Sequence, residues 1–83
     1  MHHRIFEQAY TKRDCSIEAK IEQYMDKQGV YHALVQYRVI RLDPTKKQVG
    51  NPSKYKTLDI VLNGSGNSKM FDKVKGTLLA LVQ

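Results

Sequence analysis

The chain contains one cysteine, Cys15, so no internal disulfide can form. Its fold therefore does not depend on an oxidising compartment, and an intracellular location, cytoplasmic or nuclear, is the expectation. No apolar run approaches the roughly 18 residues a membrane-spanning helix needs. No apolar signal-peptide core follows Met1-His2-His3-Arg4, so no membrane partner is expected. Acidic side chains are also few, with 8 Asp+Glu against 14 Lys+Arg and a net charge of +6. That imbalance favours a polyanionic partner, nucleic acid before an anionic membrane, over the plainer alternative of a merely basic, soluble protein. His2, His3, His32 and Cys15 show no ligand spacing, so no metal is expected. Nothing resembles a nucleophile elbow, a complete P-loop or paired carboxylates, and neither enzymatic activity nor a cofactor is expected.

What the chain does have is enough apolar residues, 41%, for one modest core, and residues 1–83 read as a single domain. Ile5, Phe6, Ala9 and Tyr10 fall at helical offsets and predict a short first helix. Ser16 to Gln28 reads two ways. Ile17, Ala19 and Ile21 alternate as in a strand, whereas the helix formers around them, with Gly29 as a stop, suit a helix. Asp26-Lys27-Gln28-Gly29 also reads as a hairpin turn ending in a glycine of positive φ. Val30 to Leu42 is a strand, with Val35, Tyr37 and Val39 on one face and Gln36, Arg38 and Ile40 on the other. Asp43 to Lys54 holds both prolines and three lysines and reads as a long exposed hairpin loop. Tyr55 to Leu62 is a further strand that buries Leu58, Ile60 and Leu62. The last helix starts at Asn67 or Ser68 and turns Phe71, Val74, Leu78, Leu81 and Val82 inward. Gly76 in its middle suggests close approach to the sheet.

The strongest local pattern is Gly64-Ser65-Gly66-Asn67-Ser68-Lys69 followed by Lys73. A glycine-rich turn feeding a helix offers free backbone N–H groups at a positive dipole end. Lys69 and Lys73, four residues apart, share one helical face, so the segment suits phosphate; the alternative is an ordinary solvated lysine face.

Together with Gly76-Thr77 and Ala80-Leu81, this pattern resembles the final helix of the double-stranded RNA-binding domain. Gly29-Val30-Tyr31-His32 is similar to that family's Gly-Pro-x-His turn, and Ile5-Phe6-Glu7 to the Leu-x-Glu of its first helix. The resemblance implies an α+β fold: a small antiparallel three-stranded sheet with helices packed on one face, in the order α-β-β-β-α. The residues themselves also permit β-α-β-β-α. It further implies a non-catalytic module that binds double-stranded RNA by shape and phosphate contacts. Lys69, Lys73, Ser68 and Asn67 are then expected at phosphates, and His32 and Glu7 at the minor grooves. Met70, Asp72 and Val30 stand where the family has a lysine, an alanine and a proline. Such departures suit the alternative, a protein-interaction module or homodimer using an unpaired strand edge or exposed Tyr31, Tyr55 or Met70.

Overall fold

The computed structural model describes residues 4–62 and 67–82. The Gly64–Gly66 turn and the side chains of Asn67 and Ser68, to which phosphate contacts were assigned above, lie outside the described residues. Strands β1 (Arg4–Lys12), β2 (Cys15–Met25), β3 (Tyr31–Arg41) and β4 (Lys56–Leu62) form one antiparallel sheet in the order β1-β2-β3-β4. Helix α1 (Asn67–Leu81) follows.

Both expected element orders are therefore corrected. The sheet has four strands rather than three, one helix rather than two, and the order β-β-β-β-α. The expected first helix is strand β1, so that helix of the RNA-binding family has no counterpart here. The helical offsets of Ile5, Phe6, Ala9 and Tyr10 arise because both faces of an edge strand carry apolar residues. Phe6 and Tyr10 turn to the core, while Ile5 lies on the other face and stays exposed. Pairing decides the conformation: β1 is in register with β2 from Arg4↔Gln23 to Lys12↔Cys15. The ambiguous segment Ser16–Gln28 resolves mostly to strand for the same reason. Ile17, Ala19, Ile21 and Gln23 all point to the core, and β2 is paired on both sides.

Its turn into β3 follows the sequence expectation. Gly29 has a φ of 81°, and the Asp26 N–H donates to the Val30 carbonyl at 2.9 Å. The Asp26 carboxylate accepts the N–H groups of Gln28 at 2.8 Å and Val30 at 3.0 Å, a side-chain clamp on the turn.

One sheet face is covered by α1. Ile17, Ile21, Val35 and Leu62 from the sheet meet Met70, Val74 and Leu78 from the helix, all fully buried. Phe6 packs edge-on against Phe71 with ring centroids 5.0 Å apart. The inward stripe thus runs through Met70, Val74 and Leu78. Leu81, expected inside, is exposed, and Met70, expected at an exposed interaction surface, is buried. At the helix end, the Lys12 ammonium donates to the carbonyls of Leu79, at 2.9 Å, and Val82. A cation there satisfies orphan carbonyls and opposes the negative end of the dipole.

Gly76 does not approach the sheet. It is exposed, and a Cβ built on it meets nothing within 4 Å. Its cost is then purely conformational, so Gly76→Ala is expected to stabilise the protein by about 0.5–1 kcal/mol. In a domain of this size a thermal melt should show a rise of several degrees, at about 4–8 °C per kcal/mol. An unchanged or lowered melting temperature contradicts the open position of this glycine.

Candidate nucleic-acid interface

The meander separates charge by face and by end. Cross-strand register places Glu7, Glu18, Glu22 and Asp59 on the sheet face away from α1, with Lys20 and Arg38 as its strand cations. The Arg38 guanidinium donates to Glu18 Oε1 at 2.7 Å and lies 5.1 Å from the Tyr55 ring centroid. This open face is rich in carboxylates and a poor surface for a polyanion.

The opposite holds at one end of the sheet. Hairpin topology brings the β1–β2 turn and the long β3–β4 connection together there. The Leu42 N–H donates to the Asp14 carbonyl at 2.7 Å, and the Lys46 ammonium to the Arg13 carbonyl at 2.9 Å. Among the described residues, Lys12, Arg13, Arg41, Lys46 and Lys47 lie on these two turns at this end, with Asp14 and Asp43 as the acids beside them. The loop itself is organised. Asp43 accepts from the N–H groups of Thr45 and Lys47 at 2.9 Å each and from the Thr45 hydroxyl at 2.6 Å. These bonds, the Thr45 hydroxyl first, hold the Asp43 carboxyl below its ordinary value. Ser53 anchors the returning chain, its N–H donating to the Val39 carbonyl and its hydroxyl accepting the Val39 N–H, both at 2.9 Å.

The residues expected to contact nucleic acid do not converge. Lys69 and Lys73 are exposed on α1, at the end of the molecule away from this basic loop. The Lys73 ammonium donates to the Val61 carbonyl of edge strand β4 at 2.6 Å. Glu7 lies on β1, on the open sheet face, rather than on a helix. His32 shares that open face, stacked on Tyr24 with centroids 4.8 Å apart. Its Nε2 is 2.7 Å from Asp26 Oδ2 and its Nδ1 is 2.8 Å from Asp59 Oδ1, which leaves neither nitrogen for a 2′-hydroxyl. Arg13 and Arg41 were not singled out from sequence. The signal for them lay in the hairpin register, which places a turn residue beside the end of a strand nearly thirty positions away.

The His32 cluster carries a pH dependence. Both carboxylates accept, so both ring nitrogens donate only in the imidazolium form. The hydrogen bond to Asp26, then that to Asp59, raises the His32 pKa above 6.5. The His32 hydrogen bond, with the N–H groups of Val30 and Gln28, lowers the Asp26 carboxyl below 3.8. Burial pushes Asp59 up, but hydrogen bonds from Tyr24, at 2.5 Å, and His32 outweigh it and leave this carboxyl lowered too. The raised histidine contributes stability that is complete below 6.5 and lost as pH rises through its folded value. The lowered carboxylates contribute stability present above 3.8 and lost as pH falls through theirs. Wild-type protein is therefore expected to melt lower at a pH of about 8 than at about 5.5, and His32→Phe to flatten that difference. An undiminished difference in the variant assigns the effect to another group.

Among the described residues no cluster of three or more His, Cys, Asp or Glu side chains is placed to hold a metal ion. No helix among them is long and apolar enough to cross a membrane. Comparison of the chain with family models, with curated proteins and with solved structures finds no match.

Proposed function

We propose that this protein is a non-catalytic nucleic-acid-binding module, with duplex RNA as its leading partner, and that it engages the phosphate backbone through its basic end. The observation that carries this reading is the segregation of charge. Cations gather on the β1–β2 turn and the β3–β4 connection, while carboxylates gather on the open sheet face. A rigid β-hairpin framework presenting lysines and arginines from two loops releases counterions on binding. Affinity then depends steeply on salt and weakly on sequence. Lys69 and Lys73, at the other end of the molecule, are a separate and secondary contact.

The test is fluorescence anisotropy with a labelled RNA duplex of about 16 base pairs, the span that shape-reading RNA modules cover. DNA of the same sequence serves as control, at two salt concentrations. Binding that favours RNA and drops by an order of magnitude or more between about 50 and 200 mM salt is the expected result. No binding at low salt overturns it.

A specific observation favours a second reading, self-association. Strand β1 is an edge strand along all nine of its residues and exposes Ile5, whereas the other edge, β4, has its Val61 carbonyl covered by Lys73. Unpaired edges pair with other strands. Sedimentation across a wide concentration range separates the readings, because concentration-dependent dimers that ignore salt and RNA support this one.

A further inference from the structure

We infer that the cavity at the basic end is a subsite for a phosphate monoester, in the form of the 5′-phosphate of a nucleotide; this deepens the nucleic-acid reading and rests on it for the identity of the partner. The cavity, of about 290 Å³, lies between the β1–β2 turn, the end of β3 and the end of α1. That size falls at the lower bound of small-molecule sites. Cys15 and Val39 form the floor of the cavity and Val82 its apolar wall. Lys12, Arg13 and Arg41 supply the positive rim, against the single carboxylate of Asp14.

The arginines carry the argument. The Lys12 ammonium is already engaged by the Leu79 and Val82 carbonyls. The Arg13 and Arg41 guanidiniums, in contrast, have no ion pair among the described residues, although Asp14 shares the cavity with them. Other charged side chains nearby do find partners, as Arg38 does with Glu18. Two unpaired guanidiniums on one rim match an anion with several terminal oxygens, and the Cys15–Val39–Val82 floor offers van der Waals contact to the carbon face of the group that carries it. A phosphate monoester, with a charge of about −1.5 to −2 at neutral pH and three terminal acceptor oxygens, can accept both arginine forks at once. The Cys15–Val39–Val82 surface then receives the attached sugar.

Two RNA duplexes of about 16 base pairs, identical except for a 5′-phosphate or a 5′-hydroxyl, test the inference. The phosphorylated duplex is expected to bind the full chain at least tenfold more tightly. In the exposed double variant Arg13→Gln/Arg41→Gln that ratio should fall to near one, whatever happens to overall affinity. Equal affinities for the two ends in the wild-type protein overturn the inference. If neither duplex binds, the broader reading fails, and the subsite is decided with adenosine 5′-monophosphate and inorganic phosphate as probes. Saturable nucleotide binding, lost in the double variant, sustains it; no saturation at millimolar probe overturns it.

Discussion

Exchanging Lys47 and Lys54 together for glutamate should weaken binding to the RNA duplex by about tenfold to a hundredfold and reduce the salt slope by about two, one per lost phosphate contact. Exchanging Lys69 and Lys75 in the same way should cost several-fold less. The pairing of these variants is the point of the experiment. Each Lys→Glu change lowers the charge by two, so either double variant takes the formal net charge from +6 to +2. A purely global electrostatic attraction responds equally to both, whereas a surface located at the β3–β4 connection does not. All four lysines are exposed, none carries a side-chain hydrogen bond or ion pair among the described residues, and folding is thus expected to survive in both variants. Lys46 is avoided because its φ of 68° and its bond to the Arg13 carbonyl tie it to the loop's conformation. Lys73 is avoided because it covers the Val61 carbonyl. Equal losses in the two variants remove the assignment of the basic end, and a larger loss from the helix variant moves the interface to α1.

The second large effect is on stability. Leu78→Ala should cost about 2–5 kcal/mol, the range for a leucine deleted from a closed core. Leu81→Ala, three residues further along the same helix, should stay within about 0.5 kcal/mol, as is usual at exposed positions. Leu78 is fully buried against the sheet with Met70 and Val74, whereas Leu81 is 57% exposed. A domain of this length has only about 4–12 kcal/mol of total stability, at 0.05–0.15 kcal/mol per residue. Losing the Leu78 contact therefore removes a large share of what holds α1 to the sheet. Urea denaturation with the slope monitored reads both variants directly. Similar costs for the two leucines contradict the rotational setting of the helix described above.

That setting shows where sequence reasoning stops. The helix over Asn67–Leu81 follows from its apolar spacing, but the spacing of Phe71, Val74, Leu78 and Leu81 fits one stripe and that of Met70, Val74 and Leu78 another. The two differ by a small rotation, and packing against Ile17, Ile21 and Val35 chooses the second. The Phe6–Phe71 edge contact then holds Phe71 at the flank of the interface. Residue patterns also leave β1 open, because Ile5, Phe6, Ala9 and Tyr10 satisfy helical offsets while Phe6 and Tyr10 equally satisfy a strand. Only the partner strand, available through nine aligned positions, settles it. Of the expected contact residues, Lys69 and Lys73 on α1 are exposed, but Glu7 and His32 fall on the carboxylate-rich face. Hairpin register sends alternate residues to opposite sides of a sheet.

By itself the sequence determined the positive charge, the β2–β3 turn at Asp26–Gly29, the strands that become β3 and β4, the long basic connection between them and the terminal helix. These are local properties: composition, alternation, and the backbone freedom that a φ of 81° at Gly29 requires. The tertiary structure alone decided that the chain opens with a strand, which face of α1 is buried, and that His32 sits between Asp26 and Asp59. It also decided that Arg13 and Arg41 flank one cavity. Each of these depends on pairing between residues far apart in the chain, and no pattern within a short window encodes which distant strand an edge will meet.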